Sequence, residues 1–354
     1  PPTSTPSPKI EKGPPLIIVR RDTLNGIAVR APEIIRARDD LPSIGGRENP
    51  APSFRALSYV STNNYIGVNF DNDIFNNTDY YYTNGIKIEY TSPVFAWSPL
   101  SFAMLPYRRS SMNYHGMNIV QNMYTPTNPD VAEVMAEDRP FAAYLYLGHS
   151  RNTLDVERSY RQFSELVIGL IGPGSLGGFV QAQIHSIEPR GWDNQIENDL
   201  VLNYTATFEK GIVHTNGFDL NGFGTMQAGT LYDNAGGGLR IRAGKLNPYF
   251  AMPGLAKPDS HEGKHGYKWQ YGIFAKAKVK LVLYNATLQG GMFNRTSSYT
   301  IPAGDIERVL LEAGAGIYVA YKQLGLTLEQ YYLSPEFRNA HHFRWGHINI
   351  TYCF

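Results

Sequence analysis

The sequence DNDIFNNTD, from Asp71 to Asp79, places three carboxylates and three Asn carbonyls within nine residues. Hard oxygens of this kind are the ligands Ca2+ takes from proteins. The spacing is not that of an EF-hand, and the closing Glu is missing. A solvated Asn/Asp-rich hairpin loop is the competing reading of the same composition. A second concentration of chemistry runs from Ile171 through Gln181 to His185 and on through GWDNQIEN at 191–198. A short helix over residues 179–187 would set Gln181 and His185, four apart, on one face. A neutral imidazole can act as a base near neutral pH, although an isolated histidine is more often structural.

These segments need a framework, and the alternation of residues supplies one. Ile66, Val68 and Phe70 alternate with Gly67 and Asn69, and Ala275, Ala277, Val279 and Leu281 alternate with Lys276, Lys278 and Lys280. Strict alternation gives each strand one apolar and one polar face. Twelve strands are expected near 64–70, 84–93, 112–124, 141–150, 158–171, 200–211, 217–229, 235–245, 268–284, 307–321, 324–334 and 342–354. Several are about ten residues long, enough to cross a bilayer at a tilt. With 24 Tyr, 17 Phe, 34 Gly and only 18% charged residues, the composition suits an all-β, twelve-stranded antiparallel transmembrane β-barrel facing lipid. The even count and the closing run Ile348-Asn-Ile-Thr-Tyr-Cys-Phe354 agree with such a barrel.

A formal net charge of +1 gives no electrostatic case for nucleic acid, and the single cysteine, Cys353, excludes an intrachain disulfide or a multi-cysteine metal cluster. Residues 1–60 read as a Pro-rich N-terminal extension, flexible and periplasmic, with residues 61–354 as the barrel. If the first barrel strand leaves the periplasm, the connections 71–83, 125–140, 172–199, 230–234, 285–306 and 335–341 all lie at the extracellular mouth. Both chemically dense segments then share one end.

The pieces NDIF at 72–75, YYTNG at 81–85, QNMYTP at 121–126, DRPF at 138–141, the 171–185 run, GWDNQIEN at 191–198 and PEFR at 335–338, taken in order, resemble the bacterial outer-membrane lipid A 3′-O-deacylase family. The resemblance covers roughly residues 60–354. It implies Ca2+-dependent hydrolysis of an ester-linked acyl chain of lipid A or a related glycolipid in the outer membrane, with the active site facing outward. His185 matches the family's catalytic histidine and Gln181 a glutamine one turn before it. Asn72 and Asp73 match an Asn-Asp pair, and Thr83 a hydroxyl residue. Asp73 is the expected metal ligand, with Glu188 as a helper. Thr83 also admits an acyl-enzyme route, ranked second to a histidine-activated water.

The chain departs from the family in two respects. The segment from His185 to Trp192 is shorter, so the family's acidic residue there maps only loosely onto Glu188. Residues 125–138 contain no Lys or Arg, only Asp130, Glu133, Glu137 and Asp138, where the family carries a basic pair. A catalytically inactive barrel serving as a structural or assembly partner, with the N-terminal extension reaching an outer-membrane protein partner, is therefore the alternative. A diffusion pore ranks last, because the lumen-facing Tyr, Arg and Lys side chains would crowd a twelve-stranded interior.

Overall fold

The computed structural model describes residues 58–73, 80–108, 111–184, 190–255 and 266–354. Twelve strands form the wall: β2 (Tyr65–Asn72), β3 (Tyr81–Thr91), β4 (Met112–Thr125), β5 (Ala142–Asp155), β6 (Tyr160–Ile171), β7 (Asp199–Thr215), β8 (Phe218–Gly229), β9 (Tyr232–Lys245), β10 (Trp269–Asn285), β11 (Val309–Tyr321), β12 (Leu324–Leu333) and β13 (Phe343–Cys353). Each pairs antiparallel with the next, and β13 returns to pair with β2, from Gly346 opposite Asn72 to Cys353 opposite Tyr65. The sheet therefore closes with no free edge, the condition for a β-structure to cross lipid. All twelve expected strands are present, displaced at their ends by a few residues. A two-residue strand, β1 (Tyr59–Val60), adds in parallel to the start of β4. The last residues assigned to the extension thus touch the sheet, while residues 1–57 lie outside the described residues.

The alternation sorts into an apolar exterior and a polar lumen. Ile66, Val68 and Phe70 on β2, and Leu324, Leu326 and Leu328 on β12, are exposed, as a lipid-facing band requires. The intervening positions fill the interior with paired charges: Lys276 to Glu329 at 3.0 Å, Lys278 to Glu312 at 2.9 Å, Arg242 to Asp219 at 2.5 Å. Tyr249, from the connection after β9, enters the lumen and donates to Glu209 at 2.7 Å while accepting from Arg161 at 3.0 Å. Such cross-struts divide the lumen into partly open cavities of about 290 and 330 Å3, an interior largely filled by side chains as expected of a small barrel.

The connections at 73–80, 126–141, 172–198, 230–231, 286–308 and 334–342 cluster at one end. Arg139, 1% exposed, fastens three of them. Its guanidinium donates to Glu336 at 2.5 Å and to Thr287 at 2.6 Å, and lies 4.2 Å from the centre of the Tyr124 ring. Thr287 belongs to the short helix α2 (Ala286–Gln289), capped by Asn285. Tyr299, whose phenol is raised in pKa mainly by burial, accepts the backbone N–H of Glu137 at 2.7 Å. DRPF and PEFR therefore hold the mouth together, because their charged members neutralise each other inside it.

Candidate functional site on the outer wall

Phe70 is exposed to the outside, and Asp71 faces the lumen, where it accepts from Tyr82 at 2.8 Å and lies 2.6 Å from His347. Alternation then turns Asn72 outward. Register carries the outward row onward: Asn72 pairs with Asn84, Asn84 with Met123, and Met123 with Ala143. A bulge between Tyr82 and Asn84 inserts Thr83 as an extra residue. Bulges re-aim side chains and are frequent beside active sites. Two residues before Thr83, Tyr81 takes φ 69°, a left-handed conformation that costs a bulky residue on the order of 1–3 kcal/mol. Packing against Phe337 and Phe343 holds it there. The Thr83 hydroxyl, 3% exposed, lies 2.7 Å from that of Thr125, the last residue of β4.

Residues 172–184 and 190–198 fold over this row from outside. Gly172 N–H bonds to the Ala143 carbonyl at 2.8 Å, and Gln121 donates to the Ser175 carbonyl at 2.6 Å. The helix α1 (Gly177–Ile184) follows. It begins two residues before the expected start, because Gly177 and Gly178 are where it meets its neighbours. A Cβ on Gly177 would lie 2.2 Å from that of Ala143, and one on Gly178 about 3.0 Å from the Trp192 ring. Gly177→Ala should therefore lift α1 from the wall at a cost of about 1–3 kcal/mol. Limited proteolysis should show faster cleavage within 172–198 while the barrel stays intact. Unchanged cleavage would show that the close approach is dispensable.

Trp192 packs on Phe141, ring centres 5.2 Å apart, and its indole N–H donates to Gln181 Oε1 at 2.6 Å. That bond fixes the Gln181 amide, since an indole can only donate. Gln181 is 2% exposed, and its Nε2 has no hydrogen-bond partner among the described residues. The amide is thus a buried donor awaiting an acceptor. Leu176 and Phe179, by contrast, are exposed beside it.

The structure brings Asn72, Thr83 and Gln181 to one sector of the outer wall near the mouth. His185 and Glu188 lie outside the described residues; α1 ends at Ile184, immediately before His185. Asp73 is buried, and its Oδ2 accepts the Tyr80 N–H at 2.9 Å. Among the described residues no group of three His, Cys, Asp or Glu side chains gathers as a metal cluster. The Asp73 carboxylate, the Asn72 amide and the Thr83 hydroxyl offer hard oxygens, so their type fits Ca2+. Sequence reasoning missed Trp192 as the partner of Gln181 and Thr125 as the partner of Thr83. The glycine pair before Gln181 was the available signal that a helix must approach a wall there.

A closed twelve-stranded barrel with an apolar exterior and a polar interior defines an outer-membrane β-barrel. Residues 48–354 match the family described as outer membrane protein LpxR, and the chain belongs to that family. This is the family that the motifs resemble. LpxR from Salmonella typhimurium has the same fold, with a TM-score of 0.62, 23% identity, and coverage of 81% of this chain and 99% of that one. The β domain of the Bordetella autotransporter BrkA aligns at a TM-score of 0.39 and 11% identity, covering 83% of this chain and 100% of that chain. No curated protein matches the chain.

Proposed function

We propose that the chain is an outer-membrane lipid A deacylase that hydrolyses an ester-linked acyl chain, the 3′-O-linked chain in the reading the family resemblance implies. The supporting observation is the position of the Gln181–Trp192 pair: α1 and the Asn72–Ala143 row lie outside the barrel, so a membrane lipid reaches them laterally without entering the lumen. The exposed Leu176 and Phe179 give its acyl chain an apolar bed.

His185 takes a proton from the water that attacks the acyl carbonyl. A new C–O bond forms to that water, the ester C–O bond breaks, and the sugar hydroxyl leaves with the proton returned to it. The free Nε2–H of Gln181 donates to an acceptor oxygen of the substrate and so orients it, since an amide does not titrate. Asp73, with Glu188 as helper, would hold Ca2+, which when bound supplies positive charge where the acyl oxygen becomes anionic, and Asn72 belongs to the catalytic set beside it.

Lipid A mass spectra from cells with and without the chain test this reading. Loss of one ester-linked acyl chain is the expected difference, and identical spectra would favour the non-enzymatic barrel, which the absence of basic residues at 125–138 also favours. The orientation has its own test. A tag at Asp130 should be reachable from outside intact cells and one at Asn216 should not; the reverse pattern would place the site in the periplasm.

A further inference from the structure

At the barrel end opposite α1, the connection between β3 and β4 does not project away from the wall. Two 3-10 turns, Pro93–Trp97 and Pro99–Ala103, lie flat against the outer surface of β4, β5 and β6. The surface beneath them is polar. Leu147 is exposed on the outside of β5, so alternation also turns His149 and Arg151 outward, and both are buried only because this connection covers them. Arg151 donates to the carbonyls of Leu105 at 2.6 Å and Ser101 at 2.7 Å. The Ser101 hydroxyl lies 3.1 Å from His149 Nε2, Leu105 N–H bonds to Ser164 at 3.1 Å, and Gln162 donates to the Pro106 carbonyl at 2.7 Å.

The other side of the same connection is apolar and uncovered. Val94 is 59% exposed, Trp97 41%, Leu100 39% and Phe102 85%. Register places this footprint alongside the apolar band. His149 pairs with Met117, Met117 with Tyr90, and Tyr90 with Ile66, and those three partners are all exposed on the lipid-facing wall. The aromatic ring series is also continuous. Phe95 meets Tyr90 edge-on at 5.6 Å, and Tyr90 stacks on Phe354 at 6.2 Å.

We propose that residues 93–103 form a membrane-embedded wedge whose apolar side is immersed in the acyl chains of the leaflet at this end of the barrel. In the orientation proposed above, that is the inner, glycerophospholipid leaflet. An uncovered arginine on a lipid-facing strand costs about 2–4 kcal/mol at the midplane and less toward the interface. The wedge and the residues after it give Arg151 two backbone carbonyls, those of Ser101 and Leu105, and the wedge replaces a polar patch with Val94, Trp97, Leu100 and Phe102. Its occupant is lipid because the exposed side continues a band that lipid already covers, and because aromatic side chains settle at the membrane interface.

The test uses the full chain in phosphatidylcholine vesicles, with Cys353→Ala as background and an environment-sensitive fluorophore on Phe102→Cys. A label on Glu157→Cys, in the β5–β6 turn at the same end, is the aqueous control. Heat-dependent gel migration confirms that both barrels are folded. At position 102 the emission should be blue-shifted, and a phosphatidylcholine carrying a nitroxide on its acyl chain should quench it clearly more than iodide does. At position 157 the pattern should invert. Iodide quenching at 102 equal to that at 157 overturns the proposal. So does energy transfer between differently labelled copies that replaces lipid quenching, which would make the face a dimer contact.

Discussion

A His185→Ala barrel is expected to insert and fold as the parent does while losing lipid A deacylation by about 10²–10⁴-fold, the usual worth of a general base. Folding should survive because the substitution falls just beyond α1, outside the strand ladder that closes the wall. The assay is lipid A mass spectrometry on membranes matched for folded barrel, judged by heat-dependent gel migration. Two companion variants divide the mechanism. Asp73→Ala should abolish any calcium stimulation together with activity; calcium-stimulated turnover in that variant would place the metal elsewhere. An acyl group recovered covalently on Thr83 would replace the activated-water route with an acyl-enzyme. Full activity in the His185→Ala barrel would overturn the site assignment and leave the non-enzymatic reading.

Removing Arg139 should produce the largest loss of stability. Arg139→Ala leaves Glu336 buried in the mouth without its cation, and breaking a buried pair in this way costs about 3–5 kcal/mol. The same guanidinium serves Thr287 and packs on Tyr124, so three connections should loosen together. Urea denaturation in micelles should show the loss, and proteolysis should quicken within 126–141 and 334–342. The pair Arg139→Met with Glu336→Leu should recover most of the stability, because no charge is then left buried. If Arg139→Ala alone were neutral, water must already reach Glu336 and the tie would be superficial.

The barrel was legible in the sequence because a strand's period of two is a local property. Lys276, Lys278 and Lys280 on β10 and the leucines of β12 announce a wet face and a lipid face without knowledge of any partner strand. Even the order of connections at one mouth follows from counting. The expected helix near Gln181 also had a local signature, though its start moved to Gly177 because contact with Ala143 and Trp192 set it.

What only the tertiary structure decided is which face of the wall holds the site. A bulge at Thr83, the 69° φ of Tyr81 and the folding back of residues 172–184 and 190–198 put Thr83, Asn72 and Gln181 on the outside of the barrel. Trp192 fixes the amide of Gln181 from eleven residues away, a bond that no periodicity encodes. The same holds for DRPF and PEFR. As sequence they were only pieces of a family resemblance; in the structure Arg139 and Glu336, 197 residues apart, neutralise each other, because a charge buried at a closed mouth requires a partner and only the closed ring brings that partner near.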